Sequence, residues 1–347
     1  MRRQFMEIFR IAAAGLATLV FTLTATAADT QACRSRGDLD VLYCDADGDL
    51  TADPPKDSKR WKNPKSLMLS YSPQEDPATY EKMWSPYVEH MKSCTAQNVR
   101  FLQVHSSAAT VEALRSGRIQ FSLLSAGDTP FAVNVAGAIP FANHGTGKGG
   151  ITTYHLIVVV RHDSAIKSMA DLTGKRVAHV AASSNSGNLA PRALFPAEGV
   201  IPDKDYKVLY SGKHDNSISG VVNGDYDAAA VADDVLIRMI QRGVVKATDL
   251  RTIYTSQPFP AGSLAVAHDL DPTLRKRIED CTFSFRFPAE LSTAFRGPDR
   301  FMPLNYKRDF ESVRRVAINS GEVLSKTAND ARTAQEAAAQ KKQPTKK

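Results

Sequence analysis

Beyond its first residues, this 347-residue chain has no apolar run long enough to cross a bilayer, which excludes a polytopic membrane protein. Cysteine is scarce: Cys33, Cys44, Cys94 and Cys281 are the whole complement, with no Cys-x-x-Cys pair and no His/Cys cluster to suggest zinc. Catalytic signatures are missing as well. Gly145-Thr146-Gly147-Lys148-Gly149 lacks the four-residue spacer and the Ser or Thr after Lys that a nucleotide-binding P-loop needs. No Gly-x-Ser-x-Gly elbow occurs, and no Ser is joined to a His and an acid in a catalytic context, so the sequence offers no support for an enzyme.

The body of the chain also has little net charge. The whole carries 44 Lys plus Arg against 37 Asp plus Glu, formally +7, but residues 1–27 hold three Arg and one Glu and residues 326–347 hold six basic and two acidic side chains, which leaves 35 against 34 between them. That balance argues against a nucleic-acid partner. At 43% hydrophobic and 23% charged residues the composition is ordinary for a globular protein, and the length suggests about two domains.

What is present begins with an export signal. Arg2, Arg3 and Arg10 precede an apolar stretch from Ile11 to Leu23, and Ala25-Thr26-Ala27 supplies a small-residue cleavage pattern, so residues 1–27 read as a cleaved leader to the periplasm. A membrane anchor is the alternative, but the stretch is short for a span. Export favours disulfides, and four cysteines permit three pairings. Cys33 and Cys44 are local to each other, whereas Cys94 and Cys281 each follow a helical pattern, so we expect 33 with 44 and 94 with 281. Lipidation of Cys33 would need an aliphatic residue three positions earlier, where Thr30 stands.

From Ser66 onward short β-rich runs alternate with helical patterns, the signature of parallel sheets flanked by helices. In the first series, strands are expected at Leu67–Ser72, Val99–Val104 and Ile119–Leu124, with a helix face at Tyr80, Met83, Trp84, Tyr87 and Met91 that Pro86 would kink or begin. A second series follows the Gly-rich stretch Gly145–Gly150, with strands at Tyr154–Arg161, Arg176–Ala181, Lys207–Tyr210, Ala228–Ala232 and Thr252–Thr255. After Pro258-Phe259-Pro260 one strand and two helical patterns remain, too few for a third domain. The expected organisation is a disulfide-tied extension (28–65), lobe one (66–150), lobe two (151–262), a return to lobe one (263–325) and a solvated basic tail (326–347). Crossings near Gly150–His155 and Pro260–Leu264 would then form a hinge over a cleft.

Ser183-Ser184-Asn185-Ser186-Gly187-Asn188 lies where a strand ends and a helix begins, a place where unpaired N–H groups and neutral side-chain donors suit a small oxyanion. Simple N-capping needs only one such residue. Ser211-Gly212-Lys213-His214-Asp215 occupies the equivalent position after the next strand, and Asp234 follows the one after that; Asp227 precedes its strand and reads as structural. Ligand sites in parallel sheets sit at these carboxyl ends. Ser125-Ala126-Gly127-Asp128-Thr129 and Tyr71 follow strands of lobe one in the same way. Asp45, Asp47 and Asp49 give a partial calcium-loop pattern without the turn glycine and distal Glu of an EF-hand.

Taken in order, Ser164–Val180 (SAIKSMADLTGKRVAHV), Ser184–Pro191 (SNSGNLAP), Tyr210–Asp215 (YSGKHD) and Val221–Ala230 (VVNGDYDAAA) resemble the phosphate/phosphite/phosphonate-binding proteins of ABC importers, the PhnD-like periplasmic family. Tyr154–Arg161, Leu69–Asp76 and Val111–Ala132 are similar too, so the resemblance spans about Ser66 to Gly321. It implies a two-lobed α/β periplasmic-binding-protein fold of type II-like form, with a hinge and an interlobe ligand cleft. The family's Ser-Thr-Ser-Gly loop matches Ser184-Asn185-Ser186-Gly187, with Asn185 in place of Thr; its histidine matches His214 and its acidic residue Asp234. An aromatic that family members often carry in the loop at Ser125–Thr129 is here Thr129. The implied ligand set is therefore Ser184, Asn185, Ser186, His214 and Asp234 from lobe two, closed over by Tyr71, Ser125 and Thr129. No acidic group near Ala261-Gly262 is placed to take an ammonium. A monomer without cofactor, docking transiently on an ABC permease, is expected; a sensor subunit for a signalling kinase and a phosphoester or phosphonate hydrolase are the alternatives.

Overall fold

Strand and helix alternate because short apolar runs are followed by helical segments, some of which start at a capping side chain: Asp76, Ser106 and Asp271 each accept a first-turn N–H. The computed structural model describes residues 33, 35–331 and 334; the expected leader and most of the basic tail fall outside them. The chain first lays down β1 (Ser66–Tyr71), α1 (Pro77–Thr95), β2 (Asn98–Phe101), α2 (Ser107–Arg115), β3 (Phe121–Leu124), α3 (Asp128–Ala136), β4 (Ala138–Thr146) and β5 (Gly150–Ile151). A second group follows: β6 (Thr153–Arg161), β7 (Arg176–His179), α4 (Ala190–Leu194), β8 (Lys207–Tyr210), α5 (His214–Asn223), β9 (Ala228–Ala232), α6 (Asp233–Gln241) and β10 (Leu250–Pro260). The last elements are β11 (Ser263–Ala267), α7 (Pro272–Ser284), α8 (Ala289–Ala294), β12 (Arg300–Pro303), α9 (Tyr306–Asp309) and α10 (Glu311–Asn319).

Two sheets result. One runs β12-β4-β11-β3-β1-β2, with β5 on the end of β4, and the other runs β10-β6-β9-β7-β8. Pairing is parallel where helices intervene, β1 with β2 and β3, and β7 with β8 and β9, and antiparallel elsewhere. The parallel strands point their carboxyl ends, and the loops that start α1, α3, α5 and α6, toward the space between the sheets. The chain passes between sheets at Thr152 and at Ala261-Gly262, and the two crossings are tied by a bond from the Ala261 N–H to the Thr152 carbonyl at 3.0 Å.

Some expectations need correction. Strand β4 was not foreseen: its sequence AIPFANHGT has no β-branched run, yet eight of its nine residues are buried and it pairs with both β11 and β12. The Gly-rich stretch after it forms the β4–β5 hairpin. Pro86 lies inside α1 and does not begin it; the Lys82 carbonyl that receives no N–H from it accepts from the Ser85 hydroxyl at 2.9 Å. Strand β10 is longer than Thr252–Thr255 and follows β6 through two register shifts. The segment 263–325 divides in its packing. β11 and β12 join the first sheet, whereas Tyr306, Phe310, Val313, Val316 and Ala317 of α9 and α10 share the second sheet's apolar core. Residues 326–331, the expected start of a solvated tail, are helical, and Asn329 is buried.

Cys94 is bonded to Cys281, joining α1 to α7 across 187 residues, and Cys33 to Cys44 in the extension. The extension packs on the body: Leu39, Tyr43 and Ala52 are buried, and the Tyr43 ring meets His268 edge-on. Among the described residues no helix is long and apolar enough to cross a membrane.

Candidate functional site

A cavity lies between the two sheets, lined from the second by Tyr154, Ser184, Asn185, Ser186, His214 and Asp234 and from the first by the loops at Pro73-Gln74 and Ser125–Gly127. The space open to the centre of a water molecule is about 30 Å³, above the roughly 10–15 Å³ that one water needs, so the cavity can hold a small polar guest.

After β7 the chain turns at Val180–Ser184 into a widened helical turn, Asn185–Leu189, that leads into α4. Ser184 caps it, its hydroxyl oxygen accepting from the Gly187 N–H at 3.1 Å. Gly187 is required there, because a Cβ would lie 2.4 Å from the Cβ of Val180. The first-turn N–H groups of Asn185 and Ser186 have no partner within the helix. Asn185 donates its amide N–H to the Tyr154 hydroxyl at 2.9 Å, and its carbonyl oxygen is buried without a partner. The Tyr154 hydroxyl also interacts with Ser186, and burial raises its pKa, so the phenol keeps its proton as a donor.

His214 begins α5. Its Nδ1 accepts from the Ala232 N–H at 3.2 Å, so the ring proton sits on Nε2, 3.3 Å from the Ser184 hydroxyl. Burial lowers its pKa to about 4, which keeps the imidazole neutral. Ser184 therefore receives two N–H groups, from Gly187 and His214, and its own O–H is left to point elsewhere.

Asp234, at the start of α6, is held by Arg238 Nη1 at 2.6 Å. Burial alone would raise the Asp234 carboxyl; the Arg238 guanidinium overrides it and keeps the group below the usual carboxylate range. Arg238 also donates through Nε to Glu75 at 2.8 Å, and Glu75 is gripped in addition by Arg242. Glu75 and Arg238 are 1% and 2% exposed, and neither was singled out from the sequence. The spacing Asp234, Arg238, Arg242 at every fourth residue marks one helix face and was the available signal; Glu75 gave none.

Six of the eight expected ligand residues thus meet in one cavity: Ser125, Ser184, Asn185, Ser186, His214 and Asp234. Ser125 contributes less than its position suggests, since its hydroxyl donates to Asp128 at 2.7 Å. Tyr71 and Thr129 do not line it. The Tyr71 ring stacks on Tyr80 at 4.0 Å and on Trp84 at 6.1 Å, fixed by the aromatic face of α1. Thr129 is fully buried in α3, all of whose residues are buried, and its hydroxyl lies 2.9 Å from both the Ser125 carbonyl and the Ser263 hydroxyl. Pro73, Gln74, Ser107 and Tyr154 also line the cavity and were not among the expected ligand residues.

Outside the cavity lining, Asp45, Asp47 and Asp49 bring their carboxylates within 4.8 Å of one another. The Asp45 carboxylate accepts from the N–H groups of Asp49 and Leu50, and that of Asp49 from Thr51, so the acids cap their own turn. Asp227, beyond the opposite end of β9, pairs with Arg176 at 2.9 Å and is structural.

The family model described as ABC transporter, phosphonate, periplasmic substrate-binding protein matches residues 69–301. The phosphate-import protein PhnD of Mycolicibacterium smegmatis is 28% identical over 232 residues, 63% of this chain and 71% of that protein. Among solved structures, a binding-protein component of an ABC phosphonate transporter from Pseudomonas aeruginosa matches with a TM-score of 0.65 at 19% identity, covering 80% of this chain and 98% of that one. PhnD1 from Prochlorococcus marinus, in complex with methylphosphonate, matches with a TM-score of 0.66 at 17% identity, covering 75% and 100%. At these identities the solved structures speak for a shared two-lobed α/β fold.

Proposed function

Because the chain belongs to the family of periplasmic substrate-binding proteins of phosphonate ABC transporters, we propose that it captures a small phosphorus oxyanion between its lobes and hands it to an ABC importer. The observation that carries this reading is the convergence on one small cavity of neutral donors whose protons are placed by their neighbours: the Ser184 hydroxyl, which accepts the His214 Nε2–H and the Gly187 N–H and so turns its own O–H outward, and the Tyr154 phenol. Neutral donors in a water-poor cleft bind an anion without the desolvation cost of a counter-charge, and they are strengthened by the low effective dielectric. The two relatives named for phosphate import and solved with methylphosphonate supply the ligand class.

Asp234 narrows it. Ionised, the carboxylate only accepts, so it suits an anion that still carries a proton, as hydrogen phosphate or an alkylphosphonate monoanion does and sulfate at neutral pH does not. Its pairing with Arg238 leaves it poorly placed for a ligand ammonium, which argues against aminophosphonates.

The Ser184–His214 contact has the residues of a nucleophile and base but not the protonation. With Nδ1 taken by the Ala232 N–H, the ring holds its proton on the side facing Ser184 and has no lone pair there to receive another. We therefore read the protein as a carrier without turnover, exported by cleavage after residue 27 and monomeric in the periplasm.

Calorimetric titration of the mature protein with phosphate, phosphite, methylphosphonate and sulfate tests this reading. Stoichiometric binding of at least one phosphorus anion is expected, weakened by about 1–3 kcal/mol in Ser186→Ala. No binding to any of them, or release of phosphate from an ester substrate, would sink it.

A further inference from the structure

The ion-pair cluster beside the cavity joins the two sheets. Glu75 sits on the loop between β1 and α1, in the first group of elements, whereas Arg238 lies on α6, which follows β9 of the second sheet, and Arg242 caps the C-terminus of that helix. Its neighbour Gln74 lines the cavity and accepts the His214 N–H on its carbonyl at 3.1 Å. One short loop thus meets the ligand residues with Gln74 and the α6 arginines with Glu75.

Building on the oxyanion-capture reading, we propose that Glu75 and Arg238 form an interlobe latch that holds the cleft closed, with Arg238 as the positioning residue that connects the latch to the ligand carboxylate Asp234. Arg238 Nε grips Glu75 at 2.8 Å while its Nη1 grips Asp234 at 2.6 Å, so one buried guanidinium touches both the opposite lobe and the cavity wall. Asp234 and Arg238 on α6 and Arg242 at its C-cap, whose backbone stays helical, fall on one face at intervals of four, which sets both arginines against Glu75. The cluster of two carboxylates and two guanidiniums is electrically balanced, and the Arg238 guanidinium lies 5.5 Å over the Phe295 ring.

The balance makes the latch reversible. Opening the lobes breaks the Coulombic contact of Glu75 but returns its charge to water, so the two terms nearly offset. A ligand that fixes Asp234 orders Arg238 for Glu75 and tips the equilibrium toward closure; an apolar seal of the same area would resist release to a permease. Removing only Glu75's charge leaves Arg238 short of a partner in the closed form alone, so the effect falls on dissociation.

The test is rapid-mixing kinetics of phosphate binding by the full mature protein and by Glu75→Gln. The latch requires the dissociation rate to rise more than about tenfold while the association rate stays within about threefold. A dissociation rate within twofold of the parent, or an equal loss in association, overturns it. Should Glu75→Gln fail to fold, Arg242→Gln, at the half-exposed end of the cluster, must raise dissociation in the same sense by a smaller factor; no rise overturns the proposal. If the parent binds none of the phosphorus anions, the oxyanion reading falls separately. Spin labels at Lys82→Cys and Lys204→Cys, one on each lobe, then decide the latch: Glu75→Gln must lengthen the interlobe distance, and an unchanged distribution overturns it.

Discussion

Ala232 donates its backbone N–H to Nδ1 of His214 at 3.2 Å, and this single bond decides where the imidazole proton stands. Because β9 ends at Ala232 and α5 begins at His214, the choice of tautomer is built into the second sheet and not left to the ligand.

Replacing His214 with Gln therefore tests a donor, not a charge. A glutamine can still offer an N–H, so His214→Gln should lose less affinity for phosphate than His214→Ala, which is expected to cost about 1–3 kcal/mol. Paired calorimetric titrations check this; equal losses in the two variants would show that the ring's shape matters and its proton does not.

Burial of neutral histidines carries over to stability. His144, His179 and His214 are each lowered by burial from an ordinary 6.5 to about 4. Between those values the unfolded chain binds more protons than the folded one, so stability is full above pH 6.5 and is lost as pH falls toward 4. Each histidine contributes a loss of up to about 3 kcal/mol over that window. Urea unfolding at pH 7.5, 6.0 and 5.0 should show a falling midpoint, less steep in His179→Gln; a flat profile contradicts the assignment of neutral buried rings.

Gly127, on a first-sheet loop, packs directly against the Ser183–Asn185 backbone of the second. Its φ of −71° is open to any residue, but a Cβ would stand 2.0 Å from the Ser183 carbonyl oxygen and 2.7 Å from the Asn185 nitrogen. Gly127→Ala leaves each lobe intact and obstructs only their meeting. We expect phosphate affinity to fall by about 1–3 kcal/mol, with the melting temperature of the ligand-free protein unchanged. A matching drop in that temperature would mean the contact serves folding and not closure.

What could be read from the sequence follows from what is local. Strand-to-helix junctions at Ser184, His214 and Asp234 are visible because the β-rich run, the polar cluster and the helix follow within a few residues, and the second sheet's parallel order brings them together. Cys94 and Cys281 were paired by their matching helical contexts. The losses have physical causes. β4 is hidden because Pro140, Asn143 and His144 interrupt its apolar pattern, and Thr129 because α3 is buried on every side, so no periodicity tells its cavity face from its core face. Glu75 meets Arg238 across 163 residues, and a separation of that size has no trace in spacing.

Asp234 gives the sharpest test of selectivity. Arg238 keeps it ionised, so it can only accept a hydrogen, and it meets a fully deprotonated tetrahedral anion with repulsion. Phosphate at neutral pH satisfies it with a P–O–H; sulfate has no proton to give. The parent should accordingly favour phosphate over sulfate by more than about 3 kcal/mol, since a buried charge facing an unmatched oxygen is the costly case. In Asp234→Asn the carboxamide turns a donor toward the ligand, while Arg238 keeps Glu75 as its partner at 2.8 Å, so the cluster remains anchored. Phosphate should then bind more weakly and sulfate more tightly, narrowing the gap from both sides. Competition between the two anions at pH 7.5 measures it directly, and an unchanged ratio would remove Asp234 from the determinants of selectivity while leaving the neutral donors of Ser184, Tyr154 and His214 in place.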